Sequence, residues 1–503
     1  MFKSKKIILS VAAALVLVIS SIVMGMQVSA VQGTATNNTY NGKAPKYVFL
    51  FIGDGMSYSQ IYSAEAYQGS HNHPGTVGID KLSFSQFPVA GAASTYDASS
   101  ICPDSASTAT SMATGNKTLS GVINMDPNKT VKYKTIAEMA KASGYKVGVI
   151  SSVSIDHATP AAFYAHQPTR SNYYDIGVEL VNSNFDFFGG GGFLQPTGAK
   201  GDQPDVLGLA KVNGYKIVNT KQDILALNNT SGKVIATNAV LDAEKALPYE
   251  IDRSSDDLSL ADFTREGIEV LDNPKGFFMM VEGGKIDWTC HANDAATEIK
   301  DTMALDEAVD QAIAFYNKHP QETLIIVTAD HETGGMTIGF AGTGYSTYFD
   351  KLGYQQESYD AFNQKVKDYV NTISPEAARL EDLYPAIQSS FGLAPTGSYT
   401  TGNGMVLTEY ETQRLLQAFE QTVIPAKERT YTDEDKLLYG TYEPLTVTLT
   451  HILDNKAGIG WTSYAHTGVP VPVFAMGSGQ DLFNGYFDNT DIFNKLHSIM
   501  KLK

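Results

Sequence analysis

The sequence predicts an α/β fold: one central, mostly parallel sheet with helices on both faces. Three observations predict it. Apolar runs of strand length recur at Lys46–Ile52, Lys146–Ser152, Gly276–Val281 and Thr323–Ala329, and runs apolar on both faces suit strands buried within a parallel sheet. Helical stretches such as Thr135–Ala142 and the long amphipathic Ala295–Tyr316 fall between them, giving the strand–helix alternation of a sheet covered on both sides. Finally, Asp54, His157, Glu282 and the pair Asp330-His331 stand at or just past the ends of these runs. Ligands of open α/β sheets bind beyond the carboxyl ends of the strands. Residues far apart in sequence are therefore expected along one edge of the sheet.

Taken in order, the chain begins with an address. Lys3, Lys5 and Lys6 precede an apolar run from Ile7 to Met24, and Val28-Ser29-Ala30 is a small-x-small cleavage signal. Residues 1–30 read as an export signal, with the mature chain starting near Val31; an uncleaved N-terminal anchor is the rival reading. Residues 31–43 are polar and read as a flexible lead. No other segment looks membrane-spanning. Residues 44–503 are expected to form a single domain, with 503 residues and 43% hydrophobic content ample for a large core. The formal charge of −17 argues against a nucleic-acid-binding role. Cleavage would take it to about −20.

The first strand, Lys46–Ile52, closes in Gly53-Asp54-Gly55. Val89–Thr95 reads as a strand leading to Pro103-Asp104-Ser105 and an unbroken run of small residues, so Ser105 is expected at a helix start. There, free N–H groups and the positive dipole end favour an anion. Such a serine is either an N-capping residue or a nucleophile. The Lys146–Ser152 strand leads to Asp156-His157-Ala158-Thr159-Pro160, with Arg170 beyond. Asp156 reads as a turn residue. The region 171–273 alternates weaker helices and strands. Gly276–Val281 ends in Glu282-Gly283-Gly284, followed by Asp287 and His291 and then by the Ala295–Tyr316 helix. Thr323–Ala329 ends in Asp330-His331. Residues 341–447, rich in Gly, Tyr, Thr and Ser, read as a large insertion. Trp461–Gly468 is a site-like loop around His466, Val471–Met476 a late strand and Asp491–Met500 the closing helix. Cys102 and Cys290 both flank candidate residues; one disulfide and two free thiols are equally compatible with the sequence.

His and Asp in one cluster suit zinc. Asp287 and His291, spaced i,i+4, share a helix face, and His466 could complete their set. Asp330 and His331 could reach one ion together from a strand exit, with Asp54 as third partner. Glu282 and Thr159 offer hard oxygens that suit magnesium. A serine nucleophile, metal ions and Arg170 as a bidentate clamp fit phosphoryl transfer. Each residue alone also has an ordinary reading: turn aspartate, core histidine, surface arginine.

Phe51-Ile52-Gly53-Asp54-Gly55-Met56, Pro103-Asp104-Ser105-Ala106, His157-Ala158-Thr159-Pro160, Glu282-Gly283-Gly284-Lys285-Ile286-Asp287, Asp330-His331-Glu332-Thr333-Gly334-Gly335 and Tyr464-Ala465-His466-Thr467 together resemble the bacterial and animal alkaline phosphatases, in the family's order. The resemblance implies that family's fold, with the insertion between the last two metal-ligand motifs. It implies hydrolysis of phosphate monoesters at alkaline pH through a phosphoserine, a homodimer, and two zinc ions and one magnesium per subunit. Ser105 matches the nucleophile and Arg170 the phosphate clamp. Asp287, His291 and His466 match one zinc site; Asp54, Asp330 and His331 match the other. Asp54, Thr159, Glu282 and the position of His157 match the magnesium site. Asp104 and Trp288 line the pocket. Some bacterial members carry Asp and Lys where this chain has His157 and Trp288, and those with a His/Trp pair look closest. A neutral imidazole would hold magnesium indirectly or more weakly than a carboxylate. Sulfatases are disfavoured because Cys102-Pro103-Asp104 lacks their motif. A diesterase, or an exported metal or phosphate scavenger without turnover, are the competing classes.

Overall fold

The computed structural model describes residues 42–398, 405–425 and 427–503. The expected export signal, and the expected lead apart from residues 42–43, lie outside the described residues. Ten strands form the main sheet: β1 (Tyr47–Gly53), β2 (Val89–Ser94), β3 (Lys146–Ser151), β4 (Phe187–Gly190), β5 (Tyr215–Val218), β6 (Lys233–Thr237), β7 (Phe277–Gly283), β8 (Thr323–Ala329), β9 (Val471–Gly477) and β10 (Gly485–Asp488). Their spatial order is β10-β2-β9-β8-β1-β7-β3-β4-β6-β5. Every residue of β1, β7, β8 and β9 is buried, so helices and loops cover both faces at the centre, as the uninterrupted apolar runs require.

Only β9 runs against the others; it pairs antiparallel with both β8 and β2. This has a direct consequence for the site. Each parallel strand places its C-terminal loop at one edge, whereas β9 places its N-terminal loop there. The exits of β1, β2, β3, β7 and β8 and the entrance of β9 therefore share an edge. Register sharpens the convergence: Gly53 lies level with Gly283 and Ala329, and Ser151 level with Glu282.

The helices that matter to the site are α1 (Tyr58–Asn72), α2 (Ser105–Thr114), α3 (Ile136–Ala142), α4 (Lys285–His291), α5 (Ala295–Tyr316), α6 (Glu409–Thr422), α7 (Asp433–Tyr439), α8 (Pro444–Ala457) and α9 (Thr490–Met500). α2 starts where Asp104, in extended backbone, caps it by accepting from Ser107 N at 3.1 Å. It ends at Gly115, in the left-handed region that a C-terminal cap favours. All ten of its residues are buried, and their small side chains permit that close packing. α6, α7 and two further helices, Tyr359–Thr372 and Tyr384–Phe391, lie wholly within the stretch expected as an insertion, and α8 begins in it. Among the described residues no helix is long and apolar enough to cross a membrane. Cys102 is exposed and Cys290 buried, and both are free thiols; the disulfide left open by the sequence is absent.

Candidate active site

Asp54 is the first residue beyond β1, and its amide donates to Gly283 O at 3.3 Å. The turn closes on Gly55, whose φ of 73° favours glycine and whose N–H donates to Asp330 Oδ1 at 3.2 Å. A Cβ there would meet Asp287 Cα at 2.9 Å, so the two backbones approach only because the residue is glycine. Asp330 and His331 follow β8, and Glu282 is the penultimate residue of β7, beside Ser151, which hydrogen-bonds its carboxylate. His157 and Thr159 enter from beyond β3.

Three groups of potential ligands gather here, each with ligand atoms within 4.8 Å of one another: Asp54, Asp330 and His331; Asp54, His157 and Glu282; and Asp287, His331 and His466. His291 joins the last of these, with Nε2 at 3.0 Å from His466 Nε2 and 3.4 Å from Asp287 Oδ2. His331 lies within reach of two groups, its ring stacked on His466 at 3.6 Å between centroids. Its nearest carboxylates are Asp330 Oδ2 at 3.2 Å and Asp54 Oδ1 at 3.5 Å, which puts it with the Asp54 set.

The donor arrangement fits metal ions. His291 Nδ1 faces Tyr464 O at 2.6 Å and His466 Nδ1 faces Pro103 O at 2.6 Å. Carbonyls only accept, so both rings carry their proton on Nδ1. Their Nε2 lone pairs then face each other at 3.0 Å with no hydrogen between them when both rings are neutral. Two nitrogens on one tetrahedral zinc stand roughly 3.3 Å apart, so a cation answers this geometry. Asp54 Oδ1 and Glu282 Oε1 are likewise buried without a hydrogen-bond donor, and buried carboxylates demand a partner.

The electrostatics say the same. Burial, then Asp330, Asp287 and Glu282, push Asp54 far above the usual carboxylate range. Burial raises Glu282 to about 7 and, with Asp287, Asp330 to about 8. Burial also pushes Asp287 up, but His291, His466 and His331 outweigh it and hold the carboxyl low. Burial lowers His291, yet Asp287 outweighs that and lifts it to about 9. A proton there occupies the place a cation would take, so proton and metal compete for one site.

Ser105 is the first residue of α2 and only 2% exposed. Its Oγ lies 3.2 Å from His331 Nε2, beside the Asp54 set. Arg170 reaches the same place from beyond β3. Its Nη1 donates to Asp104 Oδ2 at 3.1 Å and its Nη2 to His157 Nε2 at 3.2 Å. Burial pushes Asp104 up, but Arg170 and the amides of Gly121 and Ser107 outweigh it and keep the carboxylate ionised. Burial and Arg170 drive His157 down to about 3. The neutral ring, accepting at Nε2, carries its proton on Nδ1 and offers an ion no lone pair there; its contact with an ion beside Asp54 and Glu282 would be indirect. Thr159 Oγ1 lies 3.4 Å from Asp54 Oδ2. Trp288 stands edge-on to His157 at 5.9 Å, with Lys285 Nζ 4.7 Å from the indole. Asp156 accepts from Leu194 N at 2.9 Å and belongs to none of the three ligand groups.

All the candidate residues thus meet at one edge, including Ser105, Arg170 and His466, which lie in the connections after β2 and β3 and before β9. Three supporting contacts carry no signal in residue type: the carbonyls of Tyr464 and Pro103, and Thr333, whose hydroxyl donates to Asp287 Oδ1 at 2.5 Å while facing His331 Nδ1 at 3.3 Å. Thr333 lies inside the Asp330–Gly335 motif, so that motif was the available pointer.

A family model described as alkaline phosphatase matches residues 45–502. The chain belongs to the alkaline phosphatase family. It is thereby a metal-binding hydrolase. It is 31% identical over 458 residues to alkaline phosphatase 3 of Bacillus subtilis, covering 89% of this chain and 87% of that protein. The cold-active alkaline phosphatase of a psychrophilic Shewanella has a similar structure, with a TM-score of 0.72 and 31% identity over 90% of this chain and 99% of that one. A histidine-to-glutamate mutant of the alkaline phosphatase from the Antarctic bacterium TAB5 was solved with magnesium bound. It matches with a TM-score of 0.60 and 26% identity over 92% of this chain and 99% of that one.

Proposed function

We propose that this chain hydrolyses phosphate monoesters to an alcohol and inorganic phosphate at alkaline pH, through a covalent phosphoserine at Ser105. One observation carries the reading: a buried serine at a helix start, an arginine fixed by two partners, and imidazole and carboxylate lone pairs facing one another within the same edge. Asp287, His291 and His466 would hold one zinc ion and Asp54, Asp330 and His331 a second. Asp54, Glu282 and Thr159 would hold magnesium, with His157 beside them. Bound divalent ions would supply the charge that acidifies the serine hydroxyl and a water and that neutralises the transferring group.

The chain's own residues do the rest. Asp104 and His157 hold the Arg170 guanidinium by one N–H on each amino group, leaving the others free to grip phosphoryl oxygens. The start of α2 adds a positive field at the same point. Ser105 gives its hydroxyl proton to solvent as Oγ bonds to phosphorus, and the P–O bond to the alcohol breaks as that oxygen takes a proton from solvent. Water then attacks the phosphoserine, and Oγ is released as phosphate forms. Arg170 favours a dianionic monoester over a singly charged diester.

The deciding experiment is steady-state hydrolysis of a chromogenic aryl phosphate monoester and its diester by the chain from Val31, with and without zinc and magnesium, from neutral to alkaline pH. Metal-dependent monoester cleavage that rises with pH is the expected result. Preference for the diester overturns the substrate class, and metal uptake without turnover would favour a scavenger.

His157 and Trp288 bear on product release, since neither adds a charge where a carboxylate and a lysine could stand. The double variant His157→Asp, Trp288→Lys is expected to tighten inhibition by inorganic phosphate roughly tenfold and slow turnover, the scale of an added charge a few ångströms away. Unchanged phosphate inhibition would count against this. We also infer that the protein is exported and works as a homodimer. Tyr58, Tyr62, Ile101 and Val469, each at least 45% exposed on a chain of charge −17, are large apolar or aromatic side chains that a partner copy could cover, which supports the second point. A mature N-terminus near Val31 and a solution mass twice that of the chain are the results expected; an intact N-terminus or a monomer would refute the respective inference.

A further inference from the structure

The two histidines of the Asp287 set come from separate parts of the chain, and two ties hold them in register. The first is the Tyr464 carbonyl, which accepts His291 Nδ1–H at 2.6 Å and so fixes both the tautomer and the direction of Nε2. The second is Asn293, held at a left-handed φ of 52° just past α4. Its Nδ2 donates to Cys290 O at 2.7 Å and to Ser463 O at 3.0 Å, joining α4 to the loop that carries His466. Asn293 Oδ1 in turn faces His451 Nε2 of α8 at 3.0 Å.

Both ties lead outward to α7, α8 and the turn between them. The Tyr464 hydroxyl donates to Leu438 O in α7. Its ring stacks on His451 at 5.8 Å and lies 6.0 Å from the ring of Tyr442. Gly440 seats the turn against that ring: its φ of 60° and ψ of −121° suit glycine, and a Cβ would stand 2.8 Å from Tyr464 Cγ. The Tyr464 side chain is therefore held by its hydroxyl, one edge and one face, while its carbonyl holds the ligand.

We propose that the Leu438–Tyr442 turn is a positioning element for the ion of the Asp287–His291–His466 set, acting through the Tyr464 side chain on the carbonyl that orients His291. This gives part of the 341–447 stretch a role distinct from covering the site or building a dimer contact. Tyr464 is a positioning residue; it touches no reacting atom. The inference rests on the reading above that this set holds zinc.

The test uses full-length protein loaded with zinc and magnesium. Tyr464→Phe removes the grip on Leu438 O, Gly440→Ala pushes a methyl into the ring, and Leu437→Ala, at a residue 82% exposed on α7, is the control. Zinc release to a chromogenic chelator, magnesium content, and the melting temperature of the metal-free protein are read for each. Tyr464→Phe is expected to lose one zinc about tenfold faster than wild type, the low end for bonds that orient a ligand. Its magnesium content and metal-free melting temperature should match the control, and excess zinc should restore kcat. Gly440→Ala should act in the same direction; if it fails to fold, Tyr464→Phe still decides. Zinc release at the wild-type rate from Tyr464→Phe overturns the proposal, whatever the melting temperature does. A wild-type protein that takes up no zinc overturns both the proposal and the reading beneath it.

Discussion

Ser105→Ala is expected to lower kcat for a phosphate monoester by about 10⁴-fold or more while leaving zinc and magnesium content unchanged. The size reflects the role: without Oγ no phosphoserine forms, and direct attack by water survives in a site that still binds and polarises the phosphoryl group. The selectivity reflects the geometry. Ser105 brings only a hydroxyl, 3.2 Å from His331 Nε2, and its truncation leaves the imidazole and carboxylate donors of all three ligand groups in place. Alanine is a good helix former, and the α2 cap is supplied by Asp104, not by Ser105. The fold should therefore lose no more than about 1 kcal/mol, the worth of one hydrogen bond. Kinetics, metal analysis and a melting curve on one preparation check all three parts. Full turnover in the alanine variant would remove Ser105 from the mechanism, and an unchanged protein with no turnover to lose would favour the scavenger.

Much of this site was legible because a parallel sheet turns sequence order into spatial order. β1, β7 and β8 announce themselves as unbroken apolar runs, and the polar residue after each one must stand at the common edge. Ser105 was legible as a helix start for a local reason, the Pro103-Asp104 turn followed by small residues. His466 is different. It reaches the edge because β9 is antiparallel, and strand direction is a matter of connection and pairing, which an apolar run such as Val471–Met476 does not encode. Its ligand type offered it as the residue that could complete the Asp287–His291 set, and the Tyr464–Thr467 motif supported that by resemblance, but neither gave the strand direction. Arg170 is similar: only the fold joins it to Asp104, 66 positions earlier. Least legible were the orienting carbonyls of Pro103 and Tyr464, since every residue has one and only tertiary structure says which one meets an imidazole. β4, β5 and β6, at four or five residues each, were seen only as a region of weaker strands because so short a run carries little periodic signal.

Asp54→Asn is expected to have opposite effects on the metal-free and metal-loaded protein, because Asp54 is shared by two of the ligand groups. With metals present, one substitution weakens two sites. Bound metal should fall from three ions per chain toward one, and kcat by roughly 10⁴-fold, since the serine loses its neighbouring charge. Without metals the sign reverses. Asp54, Glu282 and Asp330 are all raised by burial and by neighbouring carboxylates, Glu282 to about 7 and Asp330 to about 8. A carboxyl whose folded pKa exceeds its unfolded value near 4 binds more protons folded than unfolded, so stability falls as pH rises between the two values. The metal-free wild type should thus lose stability from about pH 4 up to and beyond pH 8. An amide in place of Asp54 removes one of the repelling charges. The metal-free variant should then be more stable than metal-free wild type at pH 9, by roughly 1–3 kcal/mol, and differ little at pH 5. Melting curves at both pH values, with and without zinc and magnesium, measure all four states. A metal-free variant no more stable than wild type at pH 9 would mean that the buried carboxylates do not repel as their positions imply. A loaded variant that keeps all three ions would mean that Asp54 is not their shared ligand. The expected crossing, with a stabilised empty protein and a crippled loaded one, is the signature of a residue whose charge opposes folding and is kept for the ions it binds.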